Sequence, residues 1–459
     1  MDGIIGGIDV VVRELSLFAA AGLLIGGLDD LLVDLFYLVR RLGRGRTPPI
    51  RSDALPCPTQ TGRMIVFIPA WDESAVIGEM LSAALGRIDH ADYRLYVGLY
   101  PNDSATIAAA AEVAERDDRV RLVIGSKAGP TTKADCLNTL WHALARDRAA
   151  EGFAVKAIVL HDAEDVVHPA ELTVFDSLIE GRAVVQIPVL PLVVPGSRLV
   201  SGHYADEFAE SHHKQLVVRT WIGAGMPLAG TGCAIAPTML AAIAAARGGD
   251  PFDATSLTED YELGLRIAEL GGEGLFARVA DGTRGGVVAV RAFFPADLVS
   301  AVRQKARWMT GIALIGWDRT GWARPMALGD HWWRLRDRRG PLAMLVLAAA
   351  YLGLFADATA IFVRWIVDVP IPPIPSALLW LFAVNTMLLW WRLVMRMVFT
   401  GRAYGWREAL WSLPRFVIGN FVALAAAPRA LIRYVFVLRG RPAVWDKTRH
   451  HFPDLSTQP

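Results

Sequence analysis

Three short clusters of polar residues have the types and spacing for chemistry on a phosphate-bearing substrate. In the first, His161-Asp162-Ala163-Glu164-Asp165, three carboxylates follow directly on the apolar run 157–160. Carboxylates gathered at a strand end suit a hard cation such as Mg or Mn that also holds phosphate oxygens. Acidic loop residues are common and usually only solvated; the place behind a buried strand is what points to a ligand. The second cluster, Thr258-Glu259-Asp260, opens the amphipathic run Tyr261, Leu263, Leu265, Ile267, Leu270. Alone it reads as helix capping, with Thr258 as the cap and acids favoured by the dipole in the first turn. The third, Gln304-Lys305-Ala306-Arg307-Trp308, sets Gln304, Arg307 and Trp308 at i, i+3 and i+4 on one helix face. The guanidinium fork matches a pyrophosphate and the indole offers a flat surface to a sugar ring. An interfacial helix rich in aromatic and basic residues has the same composition.

These clusters need a scaffold, and the segment 46–330 supplies the rhythm of one. Short β-rich runs at 64–69, 94–100, 120–124, 156–161 and 184–188 alternate with helical patterns following Glu73, Ser104, Lys133 and Pro169. That alternation predicts a parallel sheet flanked by helices, whose ligands bind beyond the carboxyl ends of the strands. A chain of 459 residues with 53% hydrophobic residues and a mean hydropathy of +0.34 is too apolar for a soluble body alone. Residues 15–39 have the length of a spanning helix and are followed by Arg40, Arg41, Arg44, Arg46 and Arg51, which places the next segment inside the cell. The basic residues follow the apolar run and no small-residue cleavage site does, which favours an uncleaved anchor over a signal peptide. Asp29, Asp30 and Asp34 within it are costly in hydrocarbon and are expected at an interface or a polar cavity.

Residues 341–363 and 377–391 read as two further spans. The stretch 409–438, interrupted by Pro414 and Pro428 and carrying Arg415, Arg429 and Arg433, reads as an interfacial helix. The expected organisation is an anchor at 1–45, a cytoplasmic domain at 46–330, and two spans, the interfacial helix and a cytoplasmic tail at 331–459. A net charge of +1 argues against nucleic-acid binding. Cys57, Cys136 and Cys233 fit neither a disulfide framework nor metal-ligand spacing and are expected as reduced thiols.

Taken together and in this order, the three clusters resemble the processive branch of the family 2 glycosyltransferases. The resemblance extends upstream to Pro69-Ala70-Trp71-Asp72-Glu73, Asn102-Asp103-Ser104 and Lys133-Ala134-Asp135-Cys136-Leu137-Asn138. The stretches Asp206-Glu207-Phe208-Ala209-Glu210, Ala229-Gly230-Thr231-Gly232 and Trp445-Asp446-Lys447-Thr448-Arg449-His450 look like the subgroup named for bacteriophage adsorption protein B. The resemblance implies an α/β, GT-A-like (Rossmann-like) glycosyltransferase domain with transmembrane helices on both sides. It further implies a nucleotide-sugar donor and Mg or Mn. By the same resemblance Asp103 contacts the nucleobase with Glu73 nearby, Lys133 approaches the nucleotide, and Asp162 and Glu164 hold nucleotide and metal. Asp260 is the general base, and Gln304, Arg307 and Trp308 hold pyrophosphate and acceptor. Glu164 stands where the family has an aspartate, so Asp165 is an alternative metal ligand. Gly230 and Gly232 either admit the acceptor close to the backbone or form a plain tight turn. Lys447 and His450 are outside candidates for closing over the phosphates. Longer members of the subgroup carry an added C-terminal regulatory domain, and regulation through it is not expected in a chain that stops at Pro459.

The function so implied is an inverting transfer onto a growing polysaccharide at the inner membrane, with an export partner subunit or a dimer to extrude the product. Two alternatives stand beside it: a single addition to a lipid-linked acceptor, and a nonenzymatic membrane scaffold or sensor that keeps the fold.

Overall fold

A computed structural model of the chain describes residues 2–43, 50–283, 285–441 and 450–454. Arg44 and Arg46 of the basic flank and Trp445, Asp446, Lys447, Thr448 and Arg449 of the tail lie outside the described residues. The chain opens with α1 (Asp2–Gly43). The first half of the α/β body then alternates β1 (Arg63–Pro69), α2 (Ile77–Arg87), β2 (Tyr93–Leu99), α3 (Ser104–Ala114), β3 (Val120–Ile124), α4 (Lys133–Glu151), β4 (Val155–Leu160) and α5 (Glu171–Leu178). Its second half runs β5 (Val184–Gln186), α6 (Val200–Glu210), α7 (Leu216–Trp221), β6 (Cys233–Ile235), α8 (Pro237–Ala246), α9 (Glu259–Glu269) and β7 (Gly274–Phe276). A π-helical turn, Ser211–Gln215, joins α6 to α7. The five strands expected from the sequence are met within two residues at each end, whereas α1 begins well before the expected 15–39 and β6 and β7 were not expected.

One seven-stranded sheet has the order β3-β2-β1-β4-β6-β5-β7. β1 pairs parallel with β2 and β4, and β2 with β3, while β6 runs antiparallel to β4 and β5. Beyond the charged Arg63, Arg94 and Lys156 near their starts, the central strands are apolar because both faces are covered. Ile65, Phe67, Ile158 and Leu160 point into a core shared with α4. Met64, Val66, Ile68, Ala157 and Val159 point the other way, into a core with α2, α3 and α5. The crossovers diverge at the β1–β4 pair, so a crevice opens at the carboxyl ends of β1, β2 and β4.

The body is followed by α10 (Leu298–Trp308), α11 (Gly316–Thr320) and α12 (Leu328–Arg338), and then by α13 (Gly340–Val367), α14 (Ser376–Tyr404) and α15 (Trp406–Leu438). The last three are each long and apolar enough to cross a membrane. α1 packs along α13 and α14 through glycines: Gly22 lies against Val346 and Gly27 against Leu388. Its acids have partners. Asp29 and Asp30 pair with Arg336 and Arg339, Asp30 also with Arg392 of α14, and Trp332 Nε1 donates to Asp29 at 2.6 Å.

The break expected at Pro414 and Pro428 does not occur, since α15 is one helix with both prolines inside it. An internal proline costs about 3 kcal/mol, and tertiary anchoring offsets it here. Arg415 is fully buried, paired with Asp206 of α6 at 3.2 Å and with Glu408, and its Nε donates to Arg198 O at 2.7 Å. Further along, Val422 packs with Ala301 and Tyr204, and Ala426 and Ala430 pack on Ala306. α15 therefore lies along the α/β body and α10 for most of its length.

Candidate functional site

The loops after β1 and β4 border a cleft of about 930 Å³ whose far wall is α10 and α6. At the end of β4 the chain turns sharply, and the turn sorts its acids. Asp165 is buried: its Oδ2 accepts from the Asp162 N–H at 2.8 Å and from Thr231 Oγ1, and stands 2.9 Å from His161 Nδ1. On the other side of the His161 ring, Nε2 lies 2.5 Å from Glu171 Oε1. Burial alone would strip the proton from this imidazole, but Glu171 and Asp165 outweigh it and raise the His161 pKa to about 10. Asp165 is thus spent on holding the loop. It lines the cleft beside Asp162 and Glu164, and of the two alternative metal ligands Glu164 is the one that stands in a cluster able to hold an ion.

Glu164 meets Glu73, from the loop after β1, and His450, from the tail. His450 Nδ1 stands 2.9 Å from Glu73 Oε1 and Nε2 stands 3.3 Å from Glu164 Oε1. The three ligand atoms lie within 4.8 Å of one another. Burial, followed by the charges of Asp162 and Glu73, pushes the Glu164 carboxyl up to about 8, with His450 pulling the other way. A carboxylate so placed is stabilised by a cation, and oxygen donors with one imidazole are a donor set that Mg or Mn accepts.

Deeper in the cleft Lys133, at the first turn of α4, pairs with Asp162 and donates to Gly230 O at 3.0 Å. Burial opposes its charge, but Asp162, Glu259 and Asp260 outweigh burial and raise its pKa. Gly230 has φ +77°, and a Cβ there would stand 2.6 Å from Asp260 Oδ2 and 3.1 Å from Lys133 Nζ. The glycine is needed both for the turn and for this close approach. Asp260 itself is pushed up by burial against the pull of Lys133, and Glu259 beside it rises to about 7 for the same first reason. Thr258, expected as the cap of α9, makes no side-chain cap hydrogen bond; the cluster is kept for the cleft.

Asp103 stands outside the cleft lining. It caps α3, accepting from the Thr106 N–H at 3.3 Å, and its Oδ2 takes the Asp72 N–H at 2.6 Å, so it steadies the loop that carries Trp71 and Glu73. Its neighbour Asn102 has a role its type did not announce: Oδ1 accepts from the Gly129 N–H at 2.7 Å and Nδ2 donates to Gly129 O at 2.8 Å. This double clamp holds the 125–132 loop over Trp71 and Tyr100, whose rings meet edge-on at 5.1 Å. Two lost hydrogen bonds at about 1 kcal/mol each predict that Asn102→Ala raises the KM for a nucleotide donor about thirtyfold with little change in kcat. Steady-state kinetics on the full chain check this.

Gln304, Arg307 and Trp308 all face the cleft from α10, as their spacing predicts. Gln304 Oε1 and Arg307 Nε are buried with no hydrogen-bond partner among the described residues. Trp308 belongs to an aromatic wall with Phe208 and Phe294, at centroid distances of 6.2 and 6.3 Å. Phe294, His212 and Glu171 were not singled out from sequence, and Phe208 and Thr231 entered only within longer stretches with no role of their own, because the contacts of each are set by the fold.

A family model described as "Glycosyltransferase like family 2" matches residues 62–311. The chain is 34% identical to bacteriophage adsorption protein B of Escherichia coli K12, over 97% of its own length and 63% of that protein's. The same figures hold for bacteriophage N4 adsorption protein B of Escherichia coli O157:H7. The chain therefore spans under two thirds of the length of these relatives. Among solved structures, a mannosyltransferase from Pyrobaculum calidifontis in complex with GDP-Man and Mn2+ superposes with a TM-score of 0.55 at 18% identity, covering 91% of this chain and 99% of that one. That likeness is one of fold, a GT-A catalytic body with attached helices. With the family model spanning more than half of the sequence, the chain belongs to the family 2 glycosyltransferases.

Proposed function

We propose that the protein transfers a sugar, with inversion, from a nucleotide-diphosphate-sugar to a growing polysaccharide at the cytoplasmic face of the inner membrane. The observation that carries this reading is the convergence, in one cleft, of Asp260, the Lys133–Asp162 pair and Arg307. In the reaction the acceptor hydroxyl gives its proton to Asp260 as its oxygen bonds to the anomeric carbon. The bond from that carbon to the diphosphate breaks, and the nucleoside diphosphate leaves with the electron pair. Lys133 and Arg307 offset the charge that develops on the departing phosphate, and Trp308 with Phe294 offers a surface to the acceptor ring. Asp162, Glu164 and Glu73, with His450, would hold a divalent cation, which would supply further charge neutralisation at the diphosphate.

The membrane setting rests on two layers of ion pairs. Asp9 pairs with Arg364, and twenty residues further along α1 Asp29 pairs with Arg336 and Arg339. Twenty helical residues rise about 30 Å, the thickness of a bilayer core. The α15 helix, covered by the body along one face and apolar on the other, is assigned to the inner interface, which keeps the tail beside the cleft. A second reading, a single addition to a lipid-linked acceptor, is favoured by the glycine-mediated contact of α1 with α13 and α14, which leaves little room for a sugar chain between them.

The test is a panel of nucleotide sugars offered to the detergent-purified protein, with Mn2+ or Mg2+ present or chelated. The expected result is release of a nucleoside diphosphate from one donor, abolished by chelation. Silence across the panel, with native membranes added as acceptor source, would overturn the reading in favour of a scaffold.

A further inference from the structure

The two walls of the cleft are held by different parts of the molecule. The donor side, formed by loops after β1 and β4 and by the start of α4, rests on the sheet. The acceptor side, α6 and the π-helical turn after it, rests on the membrane helices. Phe208 of α6 and Ser211 and His212 of the turn line the cleft, and His212 Nδ1 accepts from the Val189 N–H at 2.8 Å. Two residues further, Lys214 points the opposite way, into a chain of buried charges. Its ammonium stands 2.5 Å from Asp34 of α1 and 2.7 Å from Glu210 of α6, and Glu210 stands 3.4 Å from Arg396 of α14. All four side chains are at least nine-tenths buried. Asp34 also accepts from Trp391 Nε1 at 2.8 Å, and the Lys214 ammonium lies 5.6 Å from the centre of the Phe399 ring.

A chain of four buried charges is an expensive way to join helices, and apolar packing of the same volume often stabilises more. What the charges add is a fixed register. Lys214 can satisfy Asp34 and Glu210 at once only in one arrangement of α1, α6 and α14. The π-turn is itself a departure from regular helix of a kind frequent at functional sites. Across it Ser211 and His212 line the cleft while Lys214 meets Asp34 of α1.

We propose that Lys214 is a positioning residue for the acceptor half of the cleft: it ties the turn carrying Ser211 and His212 to the membrane helices, so that transfer depends on it and donor handling does not. This rests on the transferase reading above.

The experiment compares wild type, Lys214→Met, Lys214→Arg and Asp34→Asn, the last of which keeps an acceptor for the Trp391 N–H. The full chain is used in nanodiscs with Mn2+. Donor hydrolysis is measured as nucleoside diphosphate release from UDP-glucose, UDP-N-acetylglucosamine and GDP-mannose. Transfer is measured as label passing from the same donors into native membranes of the expressing strain. Expected for Lys214→Met and Asp34→Asn is at least a tenfold fall in transfer, with donor KM and hydrolysis within twofold of wild type. Lys214→Arg should recover half or more of the transfer. Parallel loss of hydrolysis and transfer, or transfer at the wild-type rate, overturns the proposal; should Lys214→Met fail to fold, Asp34→Asn decides it by the same criterion. A wild-type protein inert toward all three donors would count against the transferase reading instead.

Discussion

Asp260→Asn should lower transfer by about 10²–10⁴-fold, the range that a positioned general base contributes, while nucleotide affinity stays within a few-fold. The substitution preserves shape, so Gly230 can still pack against the side chain, and it leaves Lys133 paired with Asp162 and close to Glu259. What it removes is the atom able to take the acceptor proton. Burial raises the Asp260 carboxyl pKa, which makes its anion a stronger base than an exposed aspartate. Single-turnover transfer, with a parallel titration of the nucleoside diphosphate, separates the two effects. Glu259→Gln is the control, because Glu259 lies beside Asp260 with a pKa raised to about 7. If Glu259→Gln is the crippled variant and Asp260→Asn is active, the base has been assigned to the wrong acid.

Five strands of the sheet and the three chemical clusters were legible in the sequence because each is written locally; the three-residue strands β6 and β7, and the antiparallel run of β6, were not. Buried parallel strands appear as short apolar runs such as Met64 to Ile68, and the ligand loops follow them within a few residues. Gln304, Arg307 and Trp308 share a face because helical spacing dictates it. Side-chain direction within the 161–165 turn was not legible. Which of Glu164 and Asp165 is tied into the loop depends on Thr231, from the turn before β6, and on His161, which Glu171 of α5 holds from its other side. The continuity of α15 was hidden for the same reason, since Arg415 is affordable inside a helix only where Asp206 receives it. The acids of α1 looked anomalous until α12, α14 and the π-turn supplied Arg336, Arg392 and Lys214. Local patterns specify elements; the partners of isolated charges are set by the whole fold.

The turn at the end of β4 yields the second large effect, because its two acids should fail in different ways. Glu164→Gln should raise the Mn2+ concentration needed for half-maximal activity by more than the roughly 10–100-fold typical of losing an outer partner of a metal ligand. It should leave thermal stability unchanged or slightly higher. Without a cation the Glu164 carboxylate is a liability, pushed up to about 8 by burial and by neighbouring acids, so neutralising it relieves repulsion. Asp165→Ala should do the reverse. It strips the Asp162 N–H, Thr231 and the charged His161 of their shared acceptor, and breaking a buried ion pair on one side costs about 3–5 kcal/mol. The expected signature is a marked drop in Tm with a smaller shift in metal requirement. Calorimetric Mn2+ titration and thermal unfolding of both variants read the two quantities independently of turnover. A larger metal shift for Asp165→Ala than for Glu164→Gln would return Asp165 to the ligand set and make Glu164 its support.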